Sequence, residues 1–307
     1  MDTDQLVVGA GSVGSALATH LAETGRPVTL ATRSGSGPEH PLINRVAADA
    51  TSVDSLLSVA PHATVIYNCA NPVRYDKWAV EWPPMAQAFL AFAERTGAVL
   101  VTCSNLYAYG QQPIPLREDM SLDATWTNGR VRAKMWLDAK ALHDAGRIRT
   151  TEVRGADYVA PGMQSRVGDR VVPRLKAGKG VRLLNALDQP HSWTAPVDVA
   201  RLMAVVGSDD RAWGRPWHVP SNPPRTQRQL VDDVATALGA SPATVAKYPD
   251  AVVWGLALVN PMIRELTKTA YQFNAPFVID DSAARTTFAM APTPWDEILL
   301  SLVRAYE

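Results

Sequence analysis

Through the first half of the chain, short apolar runs alternate with stretches whose apolar residues recur at helical spacing. DQLVVGA (4–10), RPVTLATR (26–33), ATVIYNCA (63–70), GAVLVTCS (97–104) and IRTTEVRGADY (148–158) read as strands. Between them, SALATHLAETG (15–25), TSVDSLLSVAP (51–61), WPPMAQAFLAFAERTG (82–97) and RVRAKMWLDAKALHDAG (130–146) read as helices. Pro83 and Pro84 suit the first turn of the third of these. Such alternation predicts an α/β fold, a Rossmann-type doubly wound parallel sheet.

The rhythm breaks after Ala160. GMQSRVGDRVVPRLKAGKG (162–180) reads as loop, helix, loop, and HSWTAPVDVARLMAVVG (191–207) as a short strand then a helix. RPWHVPS (215–221) reads as a strand, TQRQLVDDVATALG (226–239) as a helix N-capped by Thr226, and PTPWDEILLSLVRAY (292–306) as a last helix. The expected organisation is a dinucleotide-binding domain over 1–158, rejoined by 191–221. A smaller, partly discontinuous C-terminal substrate-binding domain takes 159–190 and 222–307.

The glycine turn sharpens this picture. Gly9, Gly11 and Gly14 stand in G-x-G-x-x-G spacing where the first strand ends and the first helix begins. Gly9 suits a tight turn, Gly11 close approach of a pyrophosphate, and Gly14 close helix–strand packing. Ser12 and Val13 inside the turn, and Cys69 and Ala70 after the strand ATVIYN, complete the expected contacts. The second strand ends LATRSGSG, with Thr32, Arg33 and Ser34 where NAD binders carry an acid. No carboxylate there repels a 2′-phosphate, and an arginine with hydroxyls can bind it, so NADP is the expected cofactor. Asp49, in VAADATS, suits either an adenine amino group or an ordinary loop.

Composition narrows the partners. At 307 residues and 47% hydrophobic, the chain can bury one large core or two unequal ones. Its formal net charge is zero, so neither nucleic acid nor an anionic membrane is indicated, and a small-molecule substrate is expected. MDTDQLVVGAG carries acids where a secretory leader needs bases, and the only cysteines are Cys69 and Cys103. Both features suit the cytoplasm, with the two thiols structural. The six histidines lack metal-ligand spacing, so no metal is expected; His191 and His218 read as structural. AVVWGLALVNPMI (251–263) is too short for the ~20 residues of a membrane span and suits a buried helix or a contact in a possible homodimer.

VVGAGSVGSALA, VAADATSVDSL, VIYNCANP, LVTCSNLYAYG, PLREDMSLDATWTNGRVRAK, EVRGADYVAPG, HSWTAPVDVARL and FAMAPTPWDEILLSLV together resemble the extended short-chain dehydrogenases/reductases, the NAD-dependent epimerase/dehydratase-like family. GAGSVG followed by TRSG is also similar to ketopantoate reductases, whose largely helical second domain the strand-like HSWTAPVDV and PWHVPS disfavour. The first resemblance implies a Y-x-x-x-K helix in which the lysine holds the nicotinamide ribose and lowers the tyrosine pKa for proton transfer. Lys134 matches that lysine; Arg130 stands in the tyrosine slot and cannot shuttle a proton. The family serine falls on Asn105, beside Ser104.

Three readings follow from this atypical active site. In the first, another phenol, Tyr107 or Tyr158, replaces the missing acid, with Lys134 still at the ribose. In the second, the proton comes from water or substrate, as suits imine or activated-alkene reduction, and Asn105 and Ser104 hold the substrate. Either makes the chain an NADPH-dependent oxidoreductase acting on a small, rather apolar carbonyl, imine or activated alkene. In the third it is a non-catalytic NADP-binding redox sensor, as the NmrA-like relatives are. An isomerase, lyase or cyclase built on the same site is a further alternative. Arg130 is either solvated or joins Lys134 in holding an anion.

Overall fold

A strand buried on both faces must be apolar along its whole length, and β1 (Gln5–Val8) meets that demand with four consecutive buried residues. In the computed structural model, which describes residues 4–72, 74–163 and 165–307, the chain falls into two compact units. One comprises the chain through Gly110, Ser121–Gly155 and Pro196–Val219; the other comprises Gln111–Met120, Ala156–Ala195 and Pro220–Glu307. The acidic start noted at Asp2 lies outside the described residues.

The first unit runs β1, α1 (Ser12–Glu23), β2 (Val28–Thr32), β3 (Ile43–Ala47), α2 (Val53–Val59), β4 (Val65–Asn68), α3 (Trp78–Thr96), β5 (Val99–Asn105), α4 (Thr127–Asp144) and β6 (Arg149–Gly155). A helix, Pro196–Val206, and an edge strand, Pro216–His218, return to it later in the chain. Its seven strands are all parallel, in the order Pro216–His218, β6, β5, β4, β1, β2, β3. Strand order reverses between β1 and β4, the place where such sheets open a crevice beyond their carboxyl ends. Leu6, Val8, Leu56, Ile66, Phe89, Phe92 and Leu100 form one core layer of this unit.

Three elements depart from the sequence expectation. Helix α3 starts at Trp78, so Pro83 and Pro84 lie inside it rather than in its first turn. Burial of Trp78 and Trp82 ties that extra turn down and offsets the two missing amide donors. Helix α4 starts at Thr127, three residues before the expected Arg130. The strand expected over 148–158 stops at Gly155; Asp157–Tyr158 pairs instead with Trp193–Thr194 in a separate two-stranded sheet of the second unit.

The second unit packs Val171, Val172, Trp193, Leu230, Val234, Phe273, Leu299 and Leu302 into its own core. Thr226 caps helix Gln227–Ala237 in a reciprocal capping box with Gln229. His191 is buried and stacks on Phe273, with ring centroids 4.4 Å apart. Its Nδ1 lies 3.0 Å from the Gln272 carbonyl oxygen and its Nε2 3.0 Å from Asp157 Oδ2. Burial pushes the Asp157 carboxyl up, but the His191 hydrogen bond and charge, with Arg166, outweigh burial and leave it below the usual carboxylate range. A depressed native value adds stability that is complete above the ordinary aspartate pKa of ~4 and is lost as pH falls through the native value. Urea midpoints measured from pH 7 to pH 3 should therefore fall more steeply for the natural chain than for Asp157→Asn; parallel curves would refute the linkage.

Candidate active site

The crevice begins at the glycine turn. Gly9 has φ +102°, and a Cβ there would stand 2.7 Å from the Cys69 carbonyl oxygen. A Cβ on Gly14 would stand 1.9 Å from the Gly9 carbonyl oxygen, so only glycine lets α1 sit this close to the turn. A Cβ on Gly11, by contrast, would meet no atom within 4 Å. Gly11 is the N-cap of α1, and no side chain caps it. The backbone thus leaves room and oriented N–H groups where a phosphate oxygen can approach, with Ser12 and Val13 in the first turn. Cys69 and Ala70 follow β4 directly against this turn; the Cys69 N–H donates to the Val8 carbonyl at 2.9 Å, and burial pushes its thiol pKa up. Neither cysteine is in a disulfide.

At the end of β2 the chain turns sharply. The Thr32 hydroxyl donates to the Ser36 carbonyl (3.1 Å), the Ser34 and Ser36 hydroxyls lie 2.8 Å apart, and Arg33 is exposed. Asp49 is exposed as well. Its Oδ1 accepts from the Thr51 amide (2.9 Å) and hydroxyl (2.7 Å), bonds that hold its pKa below the ordinary range. Those are the bonds of a loop aspartate, one of the two readings of that residue.

The carboxyl end of β5 gathers Ser104, Asn105 and Tyr107. Ser104 is buried, and Asn105 Oδ1 accepts the Tyr107 N–H at 3.1 Å, fixing the turn that carries Tyr107. The Tyr107 hydroxyl lies 3.4 Å from that of Tyr75. Trp126 and Trp78 flank the Tyr107 ring at 5.0 and 6.1 Å between centroids. Two phenols at the end of a central strand, walled by indoles, form a polar point in an apolar surround.

Helix α4 turns both of its cations outward, against the expectation that Lys134 holds the nicotinamide ribose and in line with the solvated reading of Arg130. The Lys134 side chain is 76% exposed and pairs with Asp138 at 2.9 Å; Arg130 is exposed and donates to the Thr125 carbonyl at 2.6 Å. Neither reaches the Tyr107 side of the helix. The buried face instead carries Asn128, Gly129, Arg132, Ala133 and Trp136. Positions two apart lie about 200° round a helix, so a buried Asn128–Arg132 pair forces Arg130 and Lys134 outward. Asn128 Nδ2 donates to the Tyr75 carbonyl (3.0 Å), and Arg132 Nη2 donates to Asn71 Oδ1 (3.4 Å). The Arg132 guanidinium lies over the rings of Trp82 and Trp78, 4.3 and 5.0 Å from their centroids. A Cβ on Gly129 would stand 2.7 Å from the Tyr107 carbonyl oxygen, so this glycine sets how closely the helix approaches the Tyr107 turn. Together these contacts tie Asn71, Tyr75, Trp78 and Trp82 to α4 and keep Tyr75 beside Tyr107.

A second polar cluster went unread in the sequence. On β6, Arg154 Nε donates to Glu152 Oε1 (2.7 Å) and its Nη1 to the Tyr109 hydroxyl (2.7 Å). Tyr109, thus supplied with a donor, can give its own proton to His218 Nε2, 2.8 Å away. All four side chains are buried. Tyr158 belongs to the second unit, where its carbonyl accepts the Ser165 hydroxyl at 2.8 Å.

A parallel sheet with this strand order and a glycine cradle at its first crossover defines a fold of the dinucleotide-binding class. Residues 5–217 match the model of the NAD dependent epimerase/dehydratase family, and the chain belongs to that family of extended short-chain dehydrogenases/reductases. No curated protein sequence matches it significantly. Among solved structures it is similar to an epimerase of Methanothermobacter thermautotrophicus, with TM-score 0.81 and 18% identity over 99% of this chain and 92% of that one. It is also similar to dTDP-glucose 4,6-dehydratase of Bacillus anthracis, solved in complex with NAD (TM-score 0.77, 17% identity, 99% and 96% covered). The UDP-glucose 4-epimerase of Thermotoga maritima, solved with UDP-glucose, gives TM-score 0.77 at 15% identity, with 98% and 97% covered. Among the described residues no helix is long and apolar enough to cross a membrane, and no group of three or more His, Cys, Asp or Glu is placed to hold a metal.

Proposed function

We propose that the chain is an NADPH-dependent oxidoreductase that reduces a small, rather apolar carbonyl, imine or activated alkene, with Tyr107 as its proton donor. The observation that carries this reading is the Tyr107–Tyr75 phenol pair at the end of β5, beside Ser104 and Asn105. Gly9, Gly11, Ser12, Val13 and Gly14 would cradle the pyrophosphate, next to Cys69 and Ala70. Thr32, Arg33 and Ser34 would take the 2′-phosphate. Bound NADPH supplies the two electrons and one hydrogen of the reduction; the protein supplies the second proton. Tyr107 gives its O–H proton to the substrate heteroatom or carbanion, and Tyr75 steadies the phenolate that remains. Asn128 and Arg132, four apart on the buried face of α4, occupy the arrangement expected of a tyrosine–lysine pair. Here they act as positioning residues, through Tyr75, Asn71 and the two tryptophans.

Arg33→Ala tests the cofactor part. Losing a charge-assisted contact to a phosphate costs about 1.5–3 kcal/mol, roughly a 10- to 150-fold weaker Kd for NADPH. Affinity for NADH should move little, and an equal loss for both would remove the 2′-phosphate assignment. The redox-sensor reading draws support from the solvent-facing Lys134. Tight NADPH binding without oxidation across a panel of ketones, imines and enones would favour it over the reductase.

A further inference from the structure

Cys69 and Cys103 read from the sequence as structural thiols, yet the sheet sets them side by side behind the glycine turn. In the parallel pair β4–β5, Asn68 lies opposite Thr102, and the next residue of each chain segment is a cysteine. The Cys69 N–H donates to the Val8 carbonyl at 2.9 Å, so residue 69 keeps its place in the sheet one step past β4. Asn68 and Thr102 turn to the face covered by α3 and α4, where they line one small cavity with Phe89 and Trp136. Side chains alternate along a strand, so both cysteines turn to the opposite face. There α1 covers Cys69: a Cβ on Gly14 would stand 3.0 Å from the Cys69 Cβ.

Neighbouring strands lie about 4.7–4.9 Å apart, and the Cα atoms of a disulfide about 4.4–6.8 Å apart. Two cysteines in register on one face therefore have the spacing of a cross-link. Both residues are half-buried thiols. Burial first, and then the charge of Cys103, holds the Cys69 thiol above its ordinary pKa, a second sign that the sulfurs are neighbours. Cys69 is also the backstop of the turn. Its carbonyl oxygen is what a Cβ on Gly9 would meet at 2.7 Å, and its Cβ is among the atoms that a Cβ on Gly14 would meet. Packing this close has no slack, so a pull on the Cys69 side chain is passed to the glycine turn.

We infer that Cys69 and Cys103 form a reversible disulfide that controls how well the glycine turn accepts a dinucleotide. The oxidant is a peroxide. The Cys103 sulfur attacks one peroxide oxygen; an S–O bond forms, the O–O bond breaks, and one water leaves with the thiol proton. The Cys69 sulfur then attacks the Cys103 sulfur; the S–S bond forms, the S–O bond breaks, and a second water leaves with the Cys69 proton. Two thiols lose two electrons, and one peroxide becomes two waters. Cys69, with its raised pKa, suits the second step. A disulfide in a reducing compartment is ordinarily a transient, redox-sensing one. The cofactor half of this inference rests on the dinucleotide reading proposed above, and the cross-link itself does not.

Intact-mass spectrometry of the full chain, before and after hydrogen peroxide, tests the cross-link, and NADPH titration of the same samples tests its effect. The oxidised chain should lose two hydrogens, about 2 Da, and its Kd for NADPH should rise at least about tenfold. Dithiothreitol should reverse both changes. Cys103→Ser should bind NADPH as the reduced natural chain does, with or without peroxide, and Cys103→Ala should repeat that result. Stepwise gain of oxygen, about 16 Da each, with no cross-link would overturn the inference, as would an unchanged mass or a disulfide between two chains. A cross-link within one chain that leaves the Kd for NADPH within about twofold would overturn the control of binding. A reduced chain that takes up no NADPH would remove the dinucleotide reading and the control with it, while the mass still decides the cross-link.

Discussion

Replacing Tyr107 with phenylalanine is expected to lower kcat by about 10²–10⁴-fold, the usual worth of a positioned general acid, while KM changes little. The ring remains, so its packing against Trp126 and Trp78 remains, and the turn is still held by the bond from the Tyr107 N–H to Asn105. Only the hydroxyl is lost. At 3.4 Å, the Tyr75–Tyr107 oxygen separation exceeds the ~2.7–2.8 Å of a strong O–H···O bond. Either phenol can therefore turn toward a third oxygen placed between them. Tyr75→Phe should cost less, about tenfold, because Tyr75 acts on the phenolate and not on the substrate. Steady-state rates for both variants against one reducible substrate decide the matter. Activity of Tyr107→Phe within about threefold of the natural chain would move the proton to water or substrate, the second of the three mechanistic readings. A larger loss in Tyr75→Phe than in Tyr107→Phe would exchange their roles.

How far the site was legible depends on which forces set each part. The glycine turn is local: Gly9 and Gly14 are needed by backbone geometry within one strand–helix junction, which appears in the positive φ of Gly9 and the close approaches at both, while the space left at Gly11 is room for a ligand. The alternation of strands and helices is likewise a one-dimensional signal and gave the parallel sheet. The face of α4 was not legible. TNGRVRAK offers two pairs four apart, Arg130 with Lys134 and Asn128 with Arg132, and periodicity cannot choose between them. The choice is made by Trp78 and Trp82, some fifty residues away in sequence, which accept the Arg132 guanidinium over their rings. Burying an arginine needs partners of that kind, and a linear pattern does not show them. Gly129 held the one local hint: a glycine inside a helix invites the question of what packs against it.

The same lesson applies to TTEVRG in β6. A central parallel strand should be apolar throughout, so a glutamate and an arginine two apart, on one face of that strand, required a buried partnership. That partnership supports the second large prediction. Arg154→Met should destabilise the fold by about 3–5 kcal/mol, because the carboxylate of Glu152 is left buried without its counter-charge. Side-chain exposures of 1% for Arg154 and 3% for Glu152 leave no solvent to take the arginine's place. Tyr109 loses a donor at the same time, and with it the chain of hydrogen bonds to His218. At 2–4 °C per kcal/mol, the melting temperature should drop by roughly 10 °C. The double variant Glu152→Leu/Arg154→Met removes both charges and should recover most of the loss, since the expense lies in the unpaired ion and not in the absence of the bridge. If the single variant unfolds within about 0.5 kcal/mol of the natural chain, or the double variant recovers none of the loss, the unpaired ion is not the source of the cost.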